Sequence, residues 1–174
     1  MLTNIEIKAR VKDFARIKAI AEDLASSPGE LIEQEDIFFE VPRGRLKLRI
    51  FSNISAELIY YERADRLGPK ESRYLISRSS EPDALRAILE MSLGIRGVVK
   101  KQRILYLVGQ TRIHLDEVEG LGSFVELEVV MQNNQSPIEG TQIARGLMAQ
   151  LEIRDSDLVE EAYVDLLQRV ESAN

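Results

Sequence analysis

Gly44-Arg45-Leu46-Lys47-Leu48-Arg49 alternates cationic and apolar side chains with a period of two. Successive side chains of a β-strand point to opposite faces, whereas a helix would scatter these charges around its axis. We therefore predict a strand with Arg45, Lys47 and Arg49 on one face and the two leucines on the other. The leucines require a core. The cations form a row with about 7 Å between alternate residues, along which a chain of phosphates could lie.

The composition is that of an ordinary globular protein, and it excludes several kinds of site. The 174 residues suit a single domain, 1–174, with 44% hydrophobic and 30% charged residues. Cysteine is absent, which excludes disulfides, thiolate nucleophiles and zinc–cysteine sites, and the lone His114 excludes a multi-histidine metal centre. The net charge of −6 argues against nonspecific binding to a nucleic-acid polymer, so a cationic strand here indicates a local anion site.

The N-terminal sequence and the hydropathy pattern bear on location. No apolar run reaches the roughly 18 residues of a membrane span. The chain alternates from Leu2 onwards, without the basic and apolar regions of a signal peptide. With no cysteine, these features predict a cytoplasmic protein that does not contact a membrane.

Hydrophobic periodicity predicts one antiparallel α+β domain of about eight strands and four helices. The predicted strands cover residues 2–10, 31–41, 44–49, 56–63, 72–77, 98–108, 111–118 and 123–131. Helices are predicted to begin after the capping residues Asp13, Ser80 and Ser136. The apolar positions from Leu158 to Val170 predict the last helix.

Charged residues on several predicted strands share a face, as they do in the first strand. If all of them point to one side of the sheet, that face carries eight cations and four carboxylates. They are Lys8, Arg45, Lys47, Arg49, Arg63, Lys101, Arg103 and Arg112, with Glu6, Asp116, Glu126 and Glu128. Exposure to water explains such a face on one strand, but the grouping of signs by strand favours a binding site. If the sheet closes into a barrel, these charges face a lumen that must hold water, ions and an anionic ligand, because uncompensated burial of charge is costly.

This combination of groups suits polyphosphate chemistry. Arginine forks match phosphate oxygens, and carboxylates hold Mg²⁺ or Mn²⁺, which bridges protein and phosphate. Metal ions and cationic side chains stabilise the charge that develops in phosphoryl transfer. The sequence has no Gly-x-x-x-x-Gly-Lys-Ser/Thr loop, so a Walker-type site is excluded.

The order of these motifs resembles the CYTH family of class IV (CyaB-type) adenylyl cyclases and thiamine triphosphatases, also called triphosphate tunnel metalloenzymes. The chain is most similar to the CyaB-like branch, and the resemblance covers nearly its whole length. The segments that carry it are 4–8, 34–39, 44–49, 58–63, 101–103, 114–116, 120–122, 126–128 and 163–167.

The resemblance implies an eight-stranded antiparallel β-barrel, the triphosphate tunnel, with flanking helices. The triphosphate would be bound by Lys8, Arg45, Lys47, Arg49, Arg63, Lys101 and Arg103, to which strand position alone adds Arg112. The Mg²⁺ or Mn²⁺ ion, or its waters, would be held by Glu6, Asp116, Glu126 and Glu128. The family signature Glu-x-Glu-x-Lys has Asn4 in its first position here, and this amide brings no charge. We therefore expect the metal affinity or the choice of reaction to differ.

Three functions remain open at this point. The first is a metal-dependent enzyme that hydrolyses inorganic triphosphate or a nucleoside triphosphate, or that converts ATP to cyclic AMP and pyrophosphate. Hydrolysis is favoured slightly, because no adenine pocket is identifiable. The second is a noncatalytic module that binds triphosphate or polyphosphate, and the third is a β-domain used for protein contacts. The expected partner is a triphosphate-containing small molecule, and the resemblance is compatible with a homodimer. We expect His114 to have a supporting or structural role.

Overall fold

The computed structural model describes residues 1–51 and 55–173. The strands are β1 (Leu2–Arg10), β2 (Glu30–Phe39), β3 (Arg45–Phe51), β4 (Ser55–Arg63), β5 (Lys70–Ser79), β6 (Ile95–Val108), β7 (Thr111–Val118) and β8 (Gly122–Val130). They close into an antiparallel barrel in the order β1-β5-β4-β3-β2-β6-β7-β8. The predicted eight-stranded antiparallel barrel is confirmed.

Four helices lie against the barrel. They are α1 (Phe14–Leu24), α2 (Pro82–Leu93), α3 (Pro137–Gln150) and α4 (Tyr163–Ser172). A single 3-10 turn, Asp155–Asp157, lies between α3 and α4. Among the described residues, no helix combines the length and the apolar character that crossing a membrane requires.

Pairing of β1 with two strands closes the barrel. Glu6 on β1 lies opposite Lys70 on β5 and opposite Glu128 on β8. Closure removes the free edges of an open sheet, whose unpaired backbone groups could otherwise recruit another strand. It also turns one face of every strand into the wall of a lumen.

Most of the hydrophobic core lies outside the barrel wall, between the strands and the helices, although one buried apolar cluster lies inside the barrel at the end beside α4. Ile7 and Leu127 are buried against Leu147 on α3. Leu48 is fully buried, and the half-buried Leu46 packs in the same cluster under α2. The leucines of the cationic strand thus meet a core, as predicted. Because the apolar face points outward, the charged face points into the lumen.

Two of the three predicted helix caps are confirmed. The Asp13 side chain accepts a hydrogen bond from the Arg16 amide at 3.0 Å. Ser136 opens α3 in a capping box. The predicted cap at Ser80 is wrong: α2 is capped by Glu81, whose side chain makes no capping hydrogen bond. Pro82 takes the first helical position, so the residue directly before it must be the cap.

The prediction that the last helix includes Leu158 is also wrong. Leu158 forms an isolated antiparallel bridge with Ala9, and the Val159 amide donates to the carbonyl of Lys8 at 2.8 Å. Leu158 and Val159 are therefore paired with β1, and residues 158–162, here called the strap, lead from there to the last helix. The helix begins only at Tyr163, after the extended backbone of its N-cap, Ala162.

We predict that truncating the outward core of the barrel wall destabilises the protein strongly. Leu115 on β7 is fully buried under the helices. Leu115→Ala should lower the free energy of unfolding by about 3 kcal/mol, through lost transfer energy and a residual cavity. The measurement is urea denaturation followed by circular dichroism.

The matched control is Leu75→Ala on β5, where the leucine is 54% exposed. This substitution should change the free energy of unfolding by no more than about 0.5 kcal/mol. Equal effects of the two substitutions would contradict a core outside the barrel wall at Leu115.

Candidate functional site

A cavity of about 280 Å³ occupies the barrel lumen. Among the described residues, eight cationic side chains line it against five carboxylates, so the lumen carries excess positive charge. The cations are Lys8, Lys47, Arg49, Arg63, Arg78, Lys101, Arg103 and Arg112, and the carboxylates are Glu6, Asp36, Glu57, Glu126 and Glu128. Seven of the eight predicted substrate-binding cations are brought together, and a small anion is the ligand that such a charge excess favours.

Arg45 is the predicted cation that does not line the cavity. As the first residue of β3 it lies at one end of the barrel, where its Nη2 is 2.5 Å from Asp65 Oδ2 and 3.6 Å from Asp165 Oδ2. The prediction that Arg45, Lys47 and Arg49 share the lumen therefore holds only for the last two. The acidic partners outside the barrel hold the Arg45 guanidinium at the mouth.

The strap covers this same mouth. The Nζ atoms of Lys8 and Lys70 donate to the carbonyls of Glu161 at 2.9 Å and Glu160 at 2.8 Å, respectively. Beyond the strap, the Tyr163 hydroxyl donates to Asp116 at 3.0 Å. We call this end the capped mouth. The sequence did not reveal Lys70, because the predicted strand began two residues after it.

Asp36 organises the cations of β3. It is 2% exposed, and it accepts from Lys47 Nζ at 2.8 Å and from Arg49 Nε at 2.8 Å. Burial alone would raise the pKa of Asp36, but attraction to Arg49 and Lys47 holds it well below the usual value. Burial and the neighbouring Arg49 lower the pKa of Lys47 to about 8.

Asp36 was not predicted as a site residue, although its strand position was one available signal. Asp36 alternates with Gln34 and Phe38, all of which line the cavity. It also lies directly opposite Arg49 in the β2–β3 pairing. That pairing is long-range information, which the alternation by itself does not supply.

Asp116 has a corresponding role for the cations of β6. Its fully buried carboxylate accepts from Lys101 Nζ at 2.8 Å and from Arg103 Nε at 2.6 Å. Burial alone would raise the pKa of Asp116, but Arg103 and Lys101 hold it below its usual value. Because Tyr163 also donates to it, both carboxylate oxygens of Asp116 are occupied by hydrogen bonds. Asp116 was predicted as a metal ligand, but the structure does not bring it into the acidic cluster of the lumen.

That acidic cluster is formed by Glu126, Glu128 and His114. The Nδ1 atom of His114 is 3.9 Å from Glu126 Oε2 and 3.9 Å from Glu128 Oε1. One ligand atom from each residue lies within 4.8 Å of the other two. Glu6 lies beside Glu128 in the β1–β8 pairing. Three of the four predicted metal ligands are therefore neighbours, and His114, predicted to have a supporting role, joins them.

Two polar atoms at this cluster are buried without a hydrogen-bond partner among the described residues. They are Glu6 Oε1, which is 3.6 Å from Arg63 Nη1, and His114 Nδ1. Buried polar atoms are normally satisfied, so such a pair indicates a missing partner. Carboxylate oxygens beside one imidazole nitrogen fit a divalent cation, and the nitrogen suits Mn²⁺ better than Mg²⁺.

The protonation states agree with cation binding. Burial lowers the pKa of His114, which leaves the ring neutral at neutral pH and able to act as a ligand. Although burial would raise it, Lys101 and Lys8 hold the pKa of Glu126 well below the usual value. Burial raises the pKa of Glu6, and a positive charge added nearby would favour its ionised form.

Asn4 lines the cavity and is 4% exposed. In the amide orientation that satisfies both of its polar atoms, its nitrogen donates to Thr3 O and its oxygen accepts from Arg112 Nη2, each at 3.2 Å. The same Nη2 atom is 2.9 Å from Glu128 Oε2. The Asn4 amide therefore binds Arg112, a cation next to the acidic cluster. A glutamate at this position would have added a negative charge there.

Comparison with solved structures finds the same fold in several proteins. PH1012 from Pyrococcus horikoshii is 30% identical, with a TM-score of 0.82, and the match covers 94% of this chain and 99% of that one. A candidate adenylate cyclase from Vibrio parahaemolyticus is 20% identical, with a TM-score of 0.77 and coverage of 95% and 97%. HpAC1 from Hippeastrum is 16% identical, with a TM-score of 0.64 and coverage of 96% and 96%. The last two show the shared fold alone.

Sequence comparison adds a family assignment. No curated protein sequence matches the chain. The family model of the CYTH domain, however, matches residues 2–163. The match includes every lumenal residue of the barrel and extends through the strap to Tyr163. Because the matched region spans nearly the whole chain, this protein belongs to the CYTH domain family.

Proposed function

We propose that this protein is a divalent-metal-dependent phosphohydrolase that binds a triphosphate in the barrel lumen. One observation carries the proposal. The same lumen contains an acidic cluster, at which two potential metal-binding atoms lack a hydrogen-bond partner, and a larger set of cationic side chains. The family includes triphosphatases and adenylyl cyclases, and HpAC1 is described as having a dominant triphosphatase activity.

The acidic cluster would hold the metal ion. Glu126, Glu128 and His114 would supply its ligands, with Glu6 close enough to bind the ion or one of its waters. The bound ion would act as a Lewis acid on a phosphate oxygen and offset the negative charge of the phosphates. Both Mg²⁺ and Mn²⁺ remain candidates, and the imidazole favours Mn²⁺.

The lumenal cations would bind the phosphates. Arg103 Nη2 already lies 2.7 Å from Glu126 Oε2, and Lys8 Nζ lies 3.3 Å from Glu126 Oε1. Phosphate oxygens held beside the acidic cluster would therefore meet both side chains. Arg49 and Lys47 would bind further phosphates along the opposite wall. Asp36 and Asp116 hold the lumenal cations in place before a ligand binds. Such preorganised charges can stabilise the charge that develops during a reaction without having to move first.

Two reactions suit this arrangement. In hydrolysis, water attacks the terminal phosphorus, whereas in cyclisation the ribose 3′-oxygen attacks the α-phosphorus and releases pyrophosphate. Adenylyl cyclase is the second candidate, supported by apolar side chains such as Phe51 and Ile76 at the uncapped end of the cavity. A noncatalytic triphosphate-binding module is the third. A homodimer and a cytoplasmic location stay predictions of the sequence.

We predict that turnover requires the acidic cluster. The purified protein is incubated with inorganic triphosphate or ATP and with Mg²⁺ or Mn²⁺, while phosphate, pyrophosphate and cyclic AMP are quantified. Glu126→Gln/Glu128→Gln should lower the rate by on the order of 100-fold or more, because it removes both negative charges that would hold the ion.

The control for this experiment is Glu117→Gln, an exposed carboxylate of β7 that does not line the cavity. It should leave the rate unchanged. Phosphate release supports the phosphohydrolase, and cyclic AMP with pyrophosphate supports the cyclase. Binding of triphosphate without any product would favour the noncatalytic module.

We predict that His114 sets the choice of metal ion. His114→Ala should weaken Mn²⁺ binding by roughly tenfold and Mg²⁺ binding less, because nitrogen ligands contribute more to Mn²⁺ affinity. Isothermal titration of the metal-free protein with each ion measures both constants. Equal weakening for the two ions would mean that His114 is not a ligand.

We predict that triphosphate affinity falls as the pH rises above about 8, where Lys47 loses its proton in the unliganded protein. Only the ammonium form attracts phosphate, so binding without metal should be several-fold weaker at about pH 9.5 than at pH 7. Titration calorimetry with inorganic triphosphate measures the change. Lys47→Arg keeps its charge at both pH values and should reduce the loss. A pH-independent affinity in the wild-type protein would contradict this role of Lys47.

A further inference from the structure

Arg112 is a lumenal cation that lies against the acidic cluster itself. It is directly opposite Glu128 in the β7–β8 pairing, and its Nη2 atom is 2.9 Å from Glu128 Oε2. The amide oxygen of Asn4 on β1 accepts from the same Nη2 atom at 3.2 Å. A guanidinium has only donors and keeps its charge at any pH a folded protein meets. One fixed positive charge is therefore held beside the cluster by residues of two strands.

Arg112 takes up one of the two carboxylate oxygens of Glu128. Oε2 lies beside the guanidinium, whereas Oε1 is 3.9 Å from His114 Nδ1. Only Oε1 therefore remains for an ion bound at the acidic cluster. The Nε atom of Arg112 is buried and has no hydrogen-bond partner among the described residues. Because buried donors are normally satisfied, this atom indicates an absent acceptor, such as a phosphate oxygen.

A cation that touches a carboxylate on one side and a phosphate on the other does what a bound divalent ion does. Sites of phosphoryl transfer often hold two such ions, about 4 Å apart, which share the charge of the reacting phosphate. We propose that Arg112, held by Asn4, takes the place of a second divalent ion, so that the acidic cluster binds a single ion. This inference rests on the proposed function and adds to it the number of ions and the residue that replaces one of them.

Asn4 makes this arrangement possible because it is neutral. It is 4% exposed and lines the lumen two residues before Glu6, in the position where the family signature has a glutamate. A carboxylate there would lie beside the cluster and attract a further cation, whereas the amide accepts from Arg112 without adding charge. Relative to a glutamate and an uncharged residue, Asn4 and Arg112 each make the region more positive by one unit. Together they supply the charge of one divalent ion.

The carboxylate that it contacts separates Arg112 from a cation that only adds positive charge to the lumen. Arg78 also lines the cavity, but its Nε atom is 3.4 Å from Glu57 Oε1. Glu57 does not belong to the acidic cluster, so removing Arg78 frees no oxygen for a metal ion. Removing Arg112 frees Oε2 of a candidate metal ligand. The two arginines therefore distinguish a local replacement of an ion from a general effect of lumenal charge.

The test counts the Mn²⁺ ions that the metal-free protein binds without any phosphate present. Titration calorimetry gives the number of ions per chain, and electron paramagnetic resonance measures the Mn²⁺ left in solution. The wild-type protein should bind one ion, and so should Asn4→Glu and Arg112→Gln, since each leaves half of the arrangement in place. Asn4→Glu/Arg112→Gln should bind two ions, because it frees Glu128 Oε2 and adds a carboxylate next to it.

Two control variants separate charge from shape and from distance. Asn4→Glu/Arg112→Lys keeps a positive charge at the position and should bind one ion. Asn4→Glu/Arg78→Gln removes a lumenal cation that does not touch the acidic cluster, and it should also bind one ion. A second ion in either control would contradict the role assigned to the Arg112 guanidinium.

Two further outcomes would overturn the inference. The wild-type protein could bind two ions, which is a test that needs no variant, or the folded Asn4→Glu/Arg112→Gln protein could bind only one. If circular dichroism shows that this variant is unfolded, Asn4→Asp/Arg112→Gln replaces it and should also bind two ions. In these cases one or more ions still bind at the cluster, so only the inference fails. If the wild-type protein binds no Mn²⁺ at all, the metal dependence in the proposed function fails with it.

Discussion

Two buried aspartates allow this barrel to close around a lumen crowded with cations. Asp36 holds Lys47 and Arg49, and Asp116 holds Lys101 with Arg103. Without a compensating anion, cations in a space from which water is partly excluded would repel one another and lose hydration energy. Their hydrogen bonds also fix the direction in which the guanidinium and ammonium groups are presented to a ligand.

The charged inner face also determines where most of the apolar side chains of the barrel wall must lie. Because most of the inner face is charged or polar, the barrel cannot use its whole lumen as a hydrophobic core, so Leu48, Leu115 and Leu127 face outward and must be covered. The helices supply that cover, and their positions follow from the apolar face of the wall. Stability and function are thereby separated, because the helices bury the outer face while the inner face remains free for chemistry.

The two ends of the lumen are built differently. At the capped mouth, backbone carbonyls of the strap accept from Lys8 and Lys70, and Tyr163 reaches Asp116. At the other mouth, apolar side chains such as Phe51 and the 43%-exposed Ile76 line the cavity, and Ile76 is open to solvent. The sequence signals for this asymmetry are weak, because each mouth is assembled from the ends of several strands.

Alternation along each strand determined by itself which side chains share a face, and this was enough to predict the strands and their common charged face, whereas closure into a barrel was implied only by the resemblance to the CYTH family. Those features are local, since a strand of period two leaves no other arrangement of Lys47 and Arg49 relative to Leu48. Only the tertiary structure decided which charges meet. It assigned Asp116 to Lys101 and Arg103, joined His114 to Glu126 and Glu128, drew Arg45 to the capped mouth and kept residues 158–162 out of the last helix. These outcomes depend on strand register and barrel closure, which bring together residues far apart in sequence and which no single strand encodes.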